Sequence, residues 1–131
     1  MIYVDSNIPM YLVGADHANK RRVVALLPQL LAARESLVTS AETFQEILHR
    51  YRALHDVTHL NAAYEALETM IDNAVDVTKS DVDQARSLLG IHATLSSRDC
   101  LHVALMRRLG CDRILSFDTA FDAVPSLQRI A

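Results

Sequence analysis

Short apolar runs alternate along the chain with longer segments in which apolar residues recur every three or four positions. The short runs lie at residues 2–4, 36–40, 74–77, 113–117 and 127–130. Runs of this length with few polar interruptions are typical of strands that are buried on both faces. The longer segments are typical of amphipathic helices, and one of them carries Phe44, Ile47 and Tyr51 on a single face. Alternating strands and helices predict an α/β fold with a mainly parallel sheet of four to five strands.

Capping residues predict where several of the helices begin and end. Ser80 is the predicted N-cap of the helix that follows the third strand, and Ser96 or Ser97 opens the long apolar helix after it. Gly110 closes that long helix. Pro28 lies inside an earlier helical segment and predicts a kink or a junction there, because proline lacks the N–H that an interior helical residue donates.

Length and composition place the chain among folded globular proteins. It has 131 residues, of which 50% are hydrophobic and 22% are charged, and this predicts one domain, residues 1–131, with a substantial core. No apolar stretch reaches the roughly 20 residues of a membrane helix. The N-terminus lacks the layout of a signal peptide, and Cys100 and Cys111 form no redox motif. A cytoplasmic protein with reduced thiols and no membrane attachment is therefore expected.

Two predicted strands end on an acidic residue, and two further acids occupy conspicuous helical positions. Asp5 follows the first strand and Asp118 follows the fourth, and ligands of parallel α/β sheets bind at the carboxyl ends of the strands. Asp99 lies in the first turn of the apolar helix, where it would stabilise the positive end of the helix dipole. Glu46 lies opposite the apolar face of its helix, where an ion pair with Arg50 is the simplest expectation. Considered singly, each acid has a structural explanation.

The four acids in this order resemble those of the PIN domain, and the whole chain is most similar to the VapC-type ribonuclease toxins of bacterial toxin–antitoxin pairs. The resemblance lies in "IYVDSN", in "LVTSAETFQEILHR", which selects Glu46 rather than Glu42, and in "SSRDCLHVALMRRLGCDRILSFD". It implies a PIN-like three-layer α/β/α sandwich. It also implies a metal-dependent endoribonuclease that cuts cellular RNA such as tRNA or rRNA.

The resemblance assigns the catalytic and metal-binding roles to the four acids. Asp5, Asp99 and Asp118 are expected as direct or water-mediated ligands, and Glu46 as a ligand or as the group that orients the attacking water. Hard cations such as Mg²⁺, for which Mn²⁺ can substitute, prefer carboxylate oxygens and remove the repulsion between like charges. Whether one ion or two bind stays open. Residues expected to position the carboxylates or the substrate are Ser6, Ser116 and, as a spare acid, Asp122.

The charge balance is compatible with RNA binding only through a local basic rim. The formal net charge is −3, from 13 basic and 16 acidic residues, and without the four site acids 13 basic residues face 12 acidic ones. The remainder of the chain is thus near neutral and provides little non-specific attraction to RNA. Arg50, Arg98 and Arg107 are the candidate RNA contacts. The family resemblance also implies a homodimer and inhibition by a cognate antitoxin.

Other functions remain as alternatives. A PIN nuclease that is not a toxin and a catalytically silent PIN-fold binding module would share these motifs. A nuclease acting on DNA or on structured flaps is less expected in so short a chain. A haloacid-dehalogenase-like phosphatase would need a second aspartate where Asn7 stands, and a receiver domain would need a suitably placed lysine, which neither Lys20 nor Lys79 provides. His102 is expected as a buried histidine with satisfied hydrogen bonds, and a role in positioning the acids is the alternative.

Overall fold

A parallel sheet of five strands lies at the centre of the computed structural model, which describes every residue from Met1 to Ala131. The strands are β1 (Ile2–Val4), β2 (Leu37–Ser40), β3 (Asn73–Val75), β4 (Arg113–Leu115) and β5 (Gln128–Ile130). Their order across the sheet is β3-β2-β1-β4-β5, and every neighbouring pair is parallel. The central pair, β1 and β4, therefore end side by side at the same edge of the sheet.

Helices cover both faces of this sheet. They are α1 (Asn7–Val13), α2 (Ala18–Ala32), α3 (Ala41–Ala53), α4 (Val57–Met70), α5 (Lys79–Leu89) and α6 (Ser97–Leu109), and a short 3₁₀ helix spans Thr119–Ala123. None of the six α-helices has the length and apolar character needed to cross a lipid bilayer.

The alternation of side chains along the strands divides the core into two layers. Tyr3, Val38 and Ile114 belong to a cluster that is completed mainly by residues of α5 and α6. Their strand neighbours, such as Val4 and Leu115, point to the opposite face and pack with residues of α1 to α4. This period of two on each strand produces the three-layer α/β/α sandwich that the sequence predicts.

Helix α6 is buried on nearly all sides, which explains its apolar sequence, and an ion pair joins it to α5. The guanidinium of Arg108 donates from Nε to Oδ1 of Asp81 at 2.8 Å and from Nη2 to Oδ2 at 3.0 Å. The hydrogen bond from Arg108 lowers the pKa of Asp81 to about 2, even though the carboxylate is buried. Both groups are therefore charged at neutral pH, and the ion pair holds α6 against α5.

The structure corrects one predicted helix boundary and confirms two. Pro28 marks no junction, because helix α2 continues through it and Leu27 and Leu30 on either side pack against the core. Thr78, rather than Ser80, caps α5, since its hydroxyl and the carboxylate of Asp81 exchange hydrogen bonds with the backbone in a capping box. Ser96 caps α6 and Gly110 ends it with φ of +68°, a conformation that glycine adopts freely.

Candidate active site

The ends of β1 and β4 bring an acid and a serine into contact. Val4 pairs with Leu115, and the backbone N–H of Asp5 continues the ladder by donating to the carbonyl of Leu115 at 3.1 Å. The hydroxyl of Ser116 then donates to Oδ2 of Asp5 at 2.5 Å. The register of the parallel pair thus places Asp5 against Ser116, although 111 positions separate them in sequence.

Asp5 is held by hydrogen bonds in a nearly solvent-free position. Its Oδ1 accepts from the backbone N–H of Ser6 at 2.7 Å, and its Oδ2 also accepts from Nδ2 of Asn7 at 3.2 Å. Burial raises the pKa of Asp5, and the charge of Glu46 adds to this, against the lowering effects of His102 and Ser116. A buried carboxylate whose pKa is raised in this way is a group that a bound cation would stabilise.

Glu46 approaches the same point from α3. Its Oε2 accepts from the hydroxyl of Ser6 at 2.7 Å, and its Oε1 is hydrogen-bonded to Nε2 of His102. Burial alone would raise the pKa of Glu46, but the hydrogen bonds and charge attraction of His102 and the bond from Ser6 lower it. One ligand atom each of Asp5, Glu46 and His102 lies within 4.8 Å of the others. Two carboxylates at this spacing can hold a divalent cation.

His102 connects the acids to a buried polar chain beneath them. Its Nδ1 is hydrogen-bonded to the hydroxyl of Tyr3 at 2.8 Å, and that hydroxyl contacts Oγ of Ser40 at 2.7 Å. Burial by itself would lower the pKa of His102, but Tyr3 and the carboxylates of Glu46 and Asp5 raise it well above its usual value. The histidine is therefore fully hydrogen-bonded, as the sequence predicts, and it fixes the carboxylate of Glu46.

Asp118 lies next to this group, but its carboxylate also has a structural role. Its backbone N–H donates to Oγ of Ser116 at 3.0 Å, so one serine bonds both Asp118 and Asp5. Its Oδ1 accepts from the N–H of Ala120 at 2.9 Å and so begins the 3₁₀ helix. The second oxygen, Oδ2, has no hydrogen-bond partner within the protein.

Asp99 lies one helical turn before His102 on α6, and it completes the capping box of that helix with Ser96. Its Oδ2 accepts from the N–H of Ser96 at 3.3 Å, and its own N–H donates to Oγ of Ser96 at 3.1 Å. Neither Asp99 nor Asp118 belongs to the compact group of Asp5, Glu46 and His102. The structure thus brings Asp5 and Glu46 together through Ser6, which donates to both carboxylates, and places the other two acids on adjoining elements.

Comparison with known proteins identifies the family. Residues 2–127 match the family model of the PIN domain. The chain belongs to the PIN domain family. It is 44% identical to ribonuclease VapC13 of Mycobacterium tuberculosis, with both chains covered in full, so it is a VapC-type member of that family.

Two solved structures show the same fold. The crystal structure of Mycobacterium tuberculosis VapC20, described as a sarcin–ricin loop cleaving toxin, matches with a TM-score of 0.73 and 24% identity over 94% of each chain. A toxin–antitoxin complex from Klebsiella pneumoniae matches with a TM-score of 0.67 and 15% identity, covering 100% of this chain and 97% of the other. The predicted PIN-like α/β/α sandwich is therefore confirmed.

Asn7 is a site residue that sequence reasoning missed. In this PIN domain its Nδ2 donates to Oδ2 of Asp5 and to Oγ of Ser116, each at 3.2 Å, and its Oδ1 accepts from the N–H of Phe117 at 3.3 Å. The amide thus ties the end of β1 to the end of β4. The signal in the sequence was the position of Asn7, two residues after Asp5 and at the start of α1. A side chain there faces the ends of β1 and β4.

The spare acid Asp122 lies outside the cluster. Its carboxylate accepts from Nε of Arg129 at 2.9 Å and from Nη2 at 3.1 Å in an exposed ion pair. Arg129 also donates from Nη1 to the carbonyl of Ser116 at 3.3 Å. Asp122 therefore holds β5 against the loop that carries Asp118, and it makes no contact with the other acids.

The three arginines expected to bind RNA are all exposed. Arg98 is close enough to lower the pKa of Glu46 through its charge. Arg50 forms no ion pair with Glu46, because Ser6 and His102 already occupy that carboxylate. Arg107 lies in the last turn of α6, far along the helix from Asp99. Arg50 and Arg98 are thus placed near the acids, and Arg107 is not.

Proposed function

We propose that this VapC-type PIN protein is a Mg²⁺-dependent endoribonuclease and the toxin of a toxin–antitoxin pair in the cytoplasm. The main support is the convergence of Asp5 and Glu46 at the end of the parallel sheet, within reach of one cation. Full-length identity of 44% to a protein named ribonuclease VapC13 supports the same reaction class.

The proposed metal ligands are Asp5, Asp99 and Asp118, with Glu46 as a further ligand or as the group that orients the attacking water. Asp99 and Asp118 each use only one carboxylate oxygen for capping, so the other oxygen can bind a cation without loss of the cap. A bound divalent cation supplies a water of lowered pKa and positive charge next to the phosphate. Mn²⁺ is expected to substitute for Mg²⁺, because both prefer oxygen ligands.

Glu46 is proposed to orient the attacking water. Its two oxygens are fixed by Ser6 and His102, so the carboxylate cannot rotate freely. Ser116 and Asn7 hold Asp5 in the same way from the opposite side. A carboxylate held in one orientation aligns a water for in-line attack on phosphorus better than a mobile one does. In that attack the water oxygen would bond to phosphorus as the bond to the leaving oxygen breaks. The water would release a proton to solvent and the leaving oxygen would take one from solvent, so no covalent intermediate with the protein is needed.

The proposed partners are the RNA substrate, a cognate antitoxin and a second copy of the chain. The fold matches a chain of a toxin–antitoxin complex from Klebsiella pneumoniae, which supports an antitoxin partner here. The homodimer is proposed on the family resemblance alone.

Incubation of the purified protein with total cellular RNA tests the proposed function. Discrete cleavage products are expected with Mg²⁺ or Mn²⁺, and none with excess EDTA, because the acids need the cation to bind and polarise the phosphodiester. Primer extension across the products locates the cut sites. Cleavage that persists in EDTA would contradict a metal-dependent reaction. RNA binding without any cleavage would favour the silent binding module.

A further inference from the structure

A pocket of about 450 Å³ lies beside the acidic cluster, and no role has been assigned to it. Its lining includes Asn7 and Tyr11 from α1 and Arg50 and Tyr51 from α3, together with His17 at the start of α2. Asn7 and Tyr11 are four residues apart, as are Glu46 and Arg50, so both helices place these pairs on one face. Asn7 lines the pocket and also donates to Asp5, so the pocket adjoins the carboxylates at this residue.

Aromatic rings lead from the acids into this pocket. Phe117 lies between Ser116 and Asp118, and its ring makes an edge contact with Tyr11, with ring centroids 5.3 Å apart. Tyr11 in turn contacts the ring of His17, with centroids 4.9 Å apart. Successive aromatic side chains next to a site that handles a polynucleotide are a feature of proteins that stack unpaired bases.

Arg50 provides the pocket with a cation that the protein itself does not use. Its guanidinium makes no ion pair and no side-chain hydrogen bond, although it lies on the wall of the pocket. The neighbouring cations are engaged, since Lys20 donates to the carbonyl of Gly14 and Arg21 pairs with Asp16. An unpaired guanidinium beside aromatic rings matches the phosphate and base of one nucleotide.

We propose that this pocket binds one unpaired nucleotide of the RNA next to the phosphate that is cleaved. Its base stacks on Tyr11, and Arg50 binds the adjoining phosphate. The inference rests on the proposed function and goes beyond it by assigning this pocket, and Tyr11 in particular, to contact with one base of the substrate. In a duplex the bases are stacked and paired, so they cannot enter a pocket of this size.

A double-mutant cycle, in which the protein substitution is one change and loss of one RNA base is the other, tests the proposal. The RNA is a short single-stranded oligonucleotide that contains the mapped cut site, and it is compared with copies that carry one abasic ribose beside the cleaved bond. The proteins are the unsubstituted chain, Tyr11→Leu, Tyr11→Phe, which keeps the ring, and Tyr64→Leu. Tyr64 packs against Phe44, outside this pocket, and controls for the loss of a partly buried tyrosine.

Loss of the base is expected to lower kcat/KM of the unsubstituted protein by about tenfold to a hundredfold at one position. Tyr11→Phe and Tyr64→Leu should show the same fall in kcat/KM when the base is removed. In Tyr11→Leu, removal of the base should change kcat/KM by less than about twofold, because the ring that the base contacts is gone. If loss of the base lowers kcat/KM equally in Tyr11→Leu and in the unsubstituted protein, the pocket does not bind this base. The assignment as a nuclease would not be affected.

A binding measurement separates this inference from the proposed function. Fluorescence anisotropy compares a single-stranded oligoribonucleotide with an abasic oligomer of the same length. Tyr11→Leu should weaken binding of the first by about tenfold and leave binding of the second unchanged. Absence of cleavage by the unsubstituted protein would overturn the proposed function, and the pocket would then be judged on binding alone. If the unsubstituted protein binds both oligomers equally, the proposal that this pocket binds a base is wrong.

Discussion

Asp5→Asn is expected to lower the rate of RNA cleavage by on the order of a hundredfold or more, with the fold retained. The substitution removes a charge that the proposed cation needs, and metal stabilisation of a phosphoryl transition state is worth several kcal/mol. The asparagine can keep the hydrogen bond from Ser116, because its side-chain oxygen accepts as Oδ2 does. Initial rates on one RNA with a mapped cut site measure the effect.

The same variant should be slightly more stable than the unsubstituted protein when no metal is present. Burial and the charge of Glu46 both raise the pKa of Asp5, so its ionised form is unfavourable in the folded state. Asp83→Asn is the matched control, because Asp83 forms an exposed ion pair with Lys79 at 2.9 Å. It should change neither cleavage nor stability measurably. Cleavage by Asp5→Asn at the unsubstituted rate would assign the activity to a contaminant.

His102→Leu is expected to destabilise the protein by roughly 2–4 kcal/mol and to lower cleavage by about tenfold to a hundredfold. The imidazole is buried between Glu46 and Tyr3, so its removal leaves Oε1 of Glu46 without its partner and takes from the Tyr3 hydroxyl one of its buried hydrogen bonds. Urea unfolding followed by circular dichroism measures the stability.

His102→Gln and His59→Leu are the controls for this prediction. Glutamine can donate to Glu46 and contact Tyr3, so part of both losses should be recovered. His59 pairs with Asp56 at 2.7 Å on the surface, and its loss should cost less than about 1 kcal/mol. Equal destabilisation by His59→Leu and His102→Leu would show that the buried pair has no special role. Full activity in His102→Leu would show that Glu46 needs no fixed orientation.

The parts of the site that lie at strand ends could be predicted from sequence. Parallel strands end at one edge of a sheet, so an acid after β1 and another after β4 were expected at the same edge, and the pairing of β1 with β4 makes them neighbours there. Asp5 and Asp118 accordingly share the hydroxyl of Ser116. The capping role of Asp99 was also visible, since a serine three residues before an acid is a capping pattern.

The contacts between helices could not be predicted. Glu46 was expected to pair with Arg50 four residues on, an interaction worth only about 0.3–0.5 kcal/mol at a helix surface. Burial against His102 excludes that exposed geometry, and His102 meets Glu46 because both contact the end of β1, His102 through Tyr3 and Glu46 through Ser6. Local spacing contains no information about such a contact, because 56 positions separate the two residues.

The position of Mn²⁺ in crystals of the full chain, found from its anomalous scattering, tests the central claim most directly. A single strong peak, or two adjacent ones, should lie within coordination distance of the Asp5 carboxylate and of at least one further carboxylate oxygen from Glu46, Asp99 or Asp118. The peak should be lost in crystals of Asp5→Asn. Anomalous density elsewhere on the molecule, with none at the ends of β1 and β4, would contradict the assignment of these acids to a metal-dependent nuclease site.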